Sequence, residues 1–409
     1  MTQLTRRQFG ALSLAAATQA PRLFGATSID DVLRDGIKAH GIPCVTAVVG
    51  SVDKILYQGA FGVREAGGPA VKIDSIFSIA SMTKAVASAA AMQLVDQGKA
   101  TLDEPVSKHL PQLANLQVVS GYDAAGKAIL KPASRPVTLR LLMSHTSGFA
   151  YDTWDENMFR YGQQVKFPAV DRDGPVTPLS FEPGARWQYG TGVDWTGRLV
   201  EKISGMTLDA YLQKNIVGPL GMTDTTFIFP ASKYDRLVTA YRKQSDGSLK
   251  PDTRMGPPPA PAFHNGGGGL YSTAGDYLKF TQMILRKGKS ADGKQILSAK
   301  AVAEMSKNQT GTHQAGVLKT KSPAVSADVD LHPGASDRYG LGFLINPEPY
   351  KGGRAAGSLA WAGIYNTFYW IDPKKNRAAV IMMQFLPFVD PKAVALLGDF
   401  ERAVYSNLA

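Results

Sequence analysis

The spacing of apolar residues changes several times along the chain, and each change marks an element. Over residues 30–39, Val32, Leu33 and Ile37 recur at helical spacing and predict an amphipathic helix. Two apolar runs, 45–50 and 54–58, read as strands joined around Ser51-Val52-Asp53 as a hairpin. A longer helix is predicted over 81–97, with Val86, Ala89, Ala90, Gln93 and Leu94 near one face and Gly98 at the C-cap position. From about 101 to 290 the chain is rich in proline and glycine, with short helical patterns at 139–143, 193–203, 208–216 and 273–285. Strand-like runs return at 339–345, 358–362, 367–371 and 378–384, the last two joined by the turn Asp372-Pro373-Lys374-Lys375-Asn376. A helix over 392–406 closes the pattern, with Val394, Leu397 and Val404 on one side. The stretch 311–336 has no periodicity and is expected to be a surface excursion.

Strands at both ends with helices between them predict an α/β (α+β) fold built on a mostly antiparallel sheet flanked by helices. Residues 27–100 and 291–409 would form one discontinuous sheet domain, with a mainly helical domain, 101–290, inserted. With 409 residues, 44% of them hydrophobic, the chain can bury a large core. The formal charge of +11 is dispersed, which predicts a solvated surface. No zinc-finger, helix-turn-helix or RNA-binding aromatic signature accompanies it, so nucleic acid is not an expected partner. Cys44 is the only cysteine and excludes an internal disulfide; its apolar surroundings predict a small core residue.

The first 26 residues read as an address. Arg6-Arg7 within Thr5-Arg6-Arg7-Gln8-Phe9-Gly10 is a twin-arginine motif, and the apolar stretch 11–17 after it is far short of the ~20 residues of a spanning helix. Removing 1–26 takes away three arginines and no acid, leaving +8. The expectation is a periplasmic or secreted protein carried by the twin-arginine export machinery, with no stable membrane span.

Three places along the chain carry chemistry. Ser81-Met82-Thr83-Lys84 is a Ser-x-x-Lys at the start of the predicted helix, where residues three apart are neighbours. A serine hydroxyl needs a base to become a nucleophile, and lysine serves as one only when its proton affinity is depressed below the ordinary value near 10.4. Tyr189, in the run from Phe181 to Thr191, can share a proton with such a lysine and act as general base and then general acid. Trp361-Ala362-Gly363-Ile364 lies on a late strand whose small residues allow a backbone N–H to face an oxyanion. The histidines show no metal spacing, and there is no Gly-x-Ser-x-Gly elbow, so neither a metal nor an α/β-hydrolase fold is expected. The run Gly266–Gly269 lacks a phosphate-loop ending and reads as a tight bend near the site.

Between these motifs lie Leu141-Leu142-Met143-Ser144-His145-Thr146-Ser147-Gly148, Glu182-Pro183-Gly184 leading to Tyr189, and Gly266-Gly267-Gly268-Gly269-Leu270-Tyr271-Ser272-Thr273, so that five motifs follow one another in order. Together they resemble the class C β-lactamase and penicillin-binding-protein-like serine hydrolase superfamily over roughly residues 30 to 405. Within it the chain looks most like the family VIII carboxylesterases and their acyltransferase relatives. The resemblance implies Ser81 as nucleophile, Lys84 and Tyr189 as acid/base pair, and the backbone N–H groups of Ser81 and Ile364 as oxyanion hole. It implies a structural role for His145 and no cofactor. Tyr151 and Trp154, just past the His-Thr-Ser-Gly segment, are candidates to line the pocket beside Trp361, Ala362 and Gly363.

Two departures from class C β-lactamases bear on substrate. Thr191 stands where they carry asparagine, and Trp361 stands where they carry the lysine of Lys-Thr-Gly. Loss of a charge-assisted contact of roughly 1.5–3 kcal/mol disfavours anionic substrates. The expected reaction is therefore hydrolysis of short-chain neutral esters through an acyl-enzyme, with transesterification when an alcohol replaces water. The alternatives are a β-lactam substrate for a cephalosporinase-like enzyme, a D-alanyl-D-alanine carboxypeptidase-like hydrolase, and a non-catalytic penicillin-recognising scaffold.

Overall fold

The computed structural model describes residues 27–167, 176–252 and 260–408. The expected export segment, 1–26, lies outside them. Helix α1 (Ile29–His40) starts at Ser28, whose side chain accepts the Asp31 N–H, and stops at Gly41, whose φ of 63° the helix cannot continue. A hairpin of β1 (Cys44–Gly50) and β2 (Ile55–Gly62) follows. Ser81 occupies a 3-10 turn, Ala80–Met82, that leads into α2 (Thr83–Asp96). Among the later helices are α3 (Gly192–Ser204), α4 (Ala274–Leu285) and α5 (Pro391–Asn407).

The principal sheet joins the two ends of the chain. Its other strands are β3 (Arg338–Tyr339), β4 (Leu344–Asn346), β5 (Ser358–Gly363), β6 (Thr367–Asp372) and β7 (Arg377–Met382). The order is β2-β1-β7-β6-β5-β4-β3, and every neighbouring pair is antiparallel. Both faces are covered. Alternation along β6 sends Tyr369 against Tyr277 of α4 (ring centroids 4.9 Å apart) and Trp370 against Phe400 of α5 (5.6 Å). All six residues of β6 are accordingly buried, which is why it reads as an apolar run without polar alternation. Helix α4 packs on β1, β6 and β7, so the boundary expected at residue 290 falls after a helix that lies on the sheet.

Three details differ from the sequence expectation. Helix α2 is buried from Thr83 through Leu94, because it is packed among other helices: Gly192–Ser204, Leu208–Leu212 and Ala299–Met305 all lie against it. The strand expected over 339–345 is a hairpin, β3 and β4, whose loop is closed by the Gly340 N–H on the Phe343 carbonyl at 2.8 Å. The stretch 311–336 runs over the surface for most of its length but is anchored at Ala315, Leu318, Ser326 and Val329, which are buried, and the Ser326 hydroxyl accepts the Trp154 indole N–H at 3.1 Å. Its core contacts are too few and irregular to leave a period. Cys44 is buried in β1 as expected, and burial pushes its thiol up to about 12. Among the described residues no helix is long and apolar enough to cross a membrane, and no group of three or more His, Cys, Asp or Glu could hold a metal ion.

Candidate active site

The Ser81 turn is held from several sides. Ala80 has φ +42°, an uncommon conformation for alanine that turns the chain sharply before the serine. The Met82 N–H closes the turn on the Ile79 carbonyl at 3.0 Å, and Ile79 is itself bonded to the Leu270 carbonyl at 3.0 Å. The Tyr277 hydroxyl of α4 donates to the Met82 carbonyl at 2.9 Å. The turn also lies against the end of β5. A Cβ at Gly363 would come within 2.3 Å of the Ile79 carbonyl oxygen, so only glycine lets strand and turn approach this closely. Ile364, the next residue, packs with Ala80 against Tyr365 and Leu386, which brings the residue expected to supply the second oxyanion donor beside the serine.

Lys84 is fully buried and has three polar neighbours: Ser81 Oγ at 3.2 Å, the Tyr151 hydroxyl at 3.1 Å and the Gly267 carbonyl at 2.6 Å. An ammonium has three N–H donors and satisfies all three contacts. A neutral amine also satisfies them, giving two protons and accepting one from a hydroxyl. The Gly266–Gly269 bend therefore supplies a backbone acceptor to the lysine.

Lys84 departs from the expectation of a depressed proton affinity. Burial alone disfavours its charge, but the phenols of Tyr151 and Tyr189 and the carboxylate of Asp194 outweigh burial and raise it. The lysine and its tyrosines thus behave as a coupled unit: ammonium with phenolate, and amine with phenol, differ only in where one proton sits. Tyr151 is shifted upward too, first by its own burial.

Tyr189 lies in the loop before α3, buried beneath other rings. Its centroid is 4.8 Å from Lys84 Nζ, 4.7 Å from His145, 5.3 Å from Tyr151 and 4.8 Å from Trp361. The Trp361 indole N–H donates to the Tyr189 hydroxyl oxygen at 3.2 Å. Register explains the contact: Trp361 pairs with Tyr369 across β5 and β6, so both point to the α4 side of the sheet, where Tyr189 lies. Trp361 is only 9% exposed, packed between Tyr189 and Tyr339. Its ring, expected to face substrate, mostly faces the tyrosine instead. Ala362 and Gly363 are buried with it, Trp154 is buried against Tyr151 and Tyr189, and Tyr151 is partly exposed.

His145 does not touch the serine. Its backbone has φ +58°, its carbonyl accepts the Gln188 N–H at 3.0 Å, and its Nδ1 faces the Gly190 N–H at 3.4 Å. Burial, assisted by Lys84, holds the imidazole well below its ordinary proton affinity, so it is neutral. It clamps the residues on either side of Tyr189, a structural position.

Reading the sequence left Tyr151 as a pocket residue and missed its bond to Lys84, and it missed Asp194 altogether. The available signal for Asp194 was an acid beside Val193 and Trp195 in the first turn of an apolar-faced helix, five residues past Tyr189. Nothing in the sequence singles out Tyr151 as the lysine's partner.

The family model described as Beta-lactamase matches residues 29–401. Monacolin J acid methylbutanoyltransferase of Aspergillus terreus is 30% identical over 419 residues, covering 97% of this chain and 99% of that protein. Lovastatin esterase of Penicillium rubens is 32% identical over 353 residues, covering 82% and 86%. Unliganded simvastatin synthase from Aspergillus terreus superposes with a TM-score of 0.78 at 28% identity, covering 92% of this chain and 97% of that one.

Proposed function

The chain belongs to the β-lactamase family of serine hydrolases and acyltransferases, and from that premise we propose that it is a carboxylesterase for short-chain neutral esters that can also hand its acyl group to an alcohol. In this reading Ser81 Oγ attacks the ester carbonyl as its proton passes to the Lys84–Tyr189 unit. The backbone N–H groups of Ser81 and Ile364 receive the developing oxyanion. The proton then moves to the departing alcohol, leaving an acyl-enzyme on Ser81. Water, or a second alcohol, attacks this ester by the reverse route and frees the serine. Export by the twin-arginine route is the corresponding proposal for where it acts.

The observation that carries the reading is Trp361 and its bond to Tyr189. It puts a neutral donor on the base at the strand position where a lysine would attract a carboxylate. The names of the two relatives fit: one transfers a methylbutanoyl group, which is short and neutral, and the other is an esterase.

The test is turnover of p-nitrophenyl acetate, butyrate and octanoate beside the cephalosporin nitrocefin, with and without an added alcohol. The expected result is butyrate faster than octanoate, nitrocefin slower by roughly 10–150-fold, and a new ester when alcohol is present. Nitrocefin turnover equal to that of the esters would hand the chain to the β-lactamase alternative. A variant isolates the indole N–H. Trp361→Phe keeps a ring and loses the donor, and kcat on the butyrate ester is expected to fall about 10–100-fold, the worth of a hydrogen bond to a charged oxygen. An unchanged kcat would show that this N–H does not assist Tyr189.

A further inference from the structure

Asp194 is buried in the first turn of α3. Its Oδ1 accepts the Gly267 N–H at 2.9 Å, and the Gly267 carbonyl accepts from Lys84 Nζ at 2.6 Å. One glycine thus separates a buried carboxylate from the buried ammonium. A Cβ at position 267 would lie 2.1 Å from Asp194 Oδ1, so glycine is what permits the approach. The charged and titratable groups around the carboxylate come from three elements. Lys84 comes from α2, Arg198 lies one turn along α3 with its guanidinium 4.5 Å from the Phe263 ring centroid, and Tyr151 lies in the loop beyond Gly148. Burial pushes the Asp194 carboxyl up to about 6, against the pull of Lys84, the Gly267 N–H and Arg198. A helix N-terminus favours an acid in its first turn, but that preference is met equally well by an acid facing solvent. It does not account for a carboxylate buried one residue away from an ammonium.

We propose that Asp194 is the buried counter-ion of Lys84, a positioning residue that holds the ammonium through Gly267 and sets the pH at which the Lys84–Tyr189 unit can accept the Ser81 proton. The second clause rests on the acyl-enzyme reading; the first does not. The sign follows from charge. A carboxylate favours the protonated unit, so removing its charge makes the unit lose its proton at lower pH.

Asp194→Asn keeps an oxygen to accept the Gly267 N–H and removes the charge. The acid limb of kcat/KM for p-nitrophenyl butyrate is expected to move at least about one pH unit lower, with a several-fold lower plateau because the base is weaker. An acid limb within about 0.2 unit of wild type overturns the pH role, because a purely structural aspartate would move the thermal midpoint and leave the limb in place. The counter-ion role is read separately, by stability at pH 8. Lys84→Met leaves the carboxylate buried without its ammonium, and adding Asp194→Asn is expected to raise the midpoint by about 3 °C or more, or to restore folding where the single variant does not fold. A double variant that melts at or below Lys84→Met, or fails to fold with it, overturns the proposal. This comparison uses no activity. Should Ser81→Ala retain turnover, the acyl-enzyme reading falls while the stability result still decides the ion pair.

Discussion

Alanine at position 81 is expected to lower kcat on p-nitrophenyl butyrate by roughly 10⁴–10⁶-fold, the range seen when a covalent nucleophile is removed from a serine hydrolase. The fold should survive. The Ser81 turn is closed by backbone bonds, and among the described residues its side chain hydrogen-bonds Lys84 Nζ at 3.2 Å. Losing a hydrogen bond worth about 1 kcal/mol shifts the midpoint of a chain this long by no more than about 2–4 °C. A fluorophosphonate probe should label wild type at Ser81 and leave the variant unlabelled. Retention of a tenth or more of wild-type kcat would move the nucleophile elsewhere. Complete loss of activity without loss of labelling would make Ser81 a binding residue.

The second large effect separates the two tyrosines. Tyr189→Phe is expected to lower kcat by about 10²–10⁴-fold with little change in KM, the usual contribution of a general acid–base group. Tyr151→Phe is expected to cost only about tenfold. It removes the hydroxyl at 3.1 Å from Lys84 but keeps the ring, whose centroid is 5.2 Å from the ammonium. The asymmetry comes from the partners. The Tyr189 oxygen receives the Trp361 N–H, which stabilises a phenolate, whereas the Tyr151 hydroxyl meets Lys84 Nζ. Pre-steady-state acylation by the butyrate ester reads the step directly: a slow burst in Tyr189→Phe and a near-normal one in Tyr151→Phe. The reverse order would transfer the proton-moving role to Tyr151.

Most elements were legible because their signals are local. The helix expected over 392–406 is α5, Pro391–Asn407, started by Asp390 and a proline in its first turn. The strand expected over 367–371 is β6, and the helix expected over 139–143 is Leu139–Met143. Where the reading slipped, the deciding contact came from far away. Helix α2 looked one-sided because Ser88, Thr83 and Lys84 are polar, yet all three are buried, Thr83 against Leu270, Lys84 against Tyr151 and Gly267, and Ser88 beside Gly342. The hairpin within 339–345 was hidden because Tyr339, Leu341, Phe343 and Leu344 are all buried and resemble one continuous strand.

The sequence by itself determined which groups are available and where along the chain they fall: Ser81 three residues before Lys84, a tyrosine before a helix, and a small-residue strand late in the chain. These depend on short-range spacing, which folding leaves unchanged. Only the tertiary structure decided what those groups do to one another. Lys84 meets Tyr151 across 67 residues and Gly267 across 183, while Trp361 meets Tyr189 across 172. Those distant contacts, in surroundings that exclude water, reverse the expected shift on Lys84 and turn Trp361 from a wall of the pocket into a hydrogen-bond donor to Tyr189. Coulombic and desolvation energies depend on through-space distance and burial, and neither is encoded in the local spacing of residues.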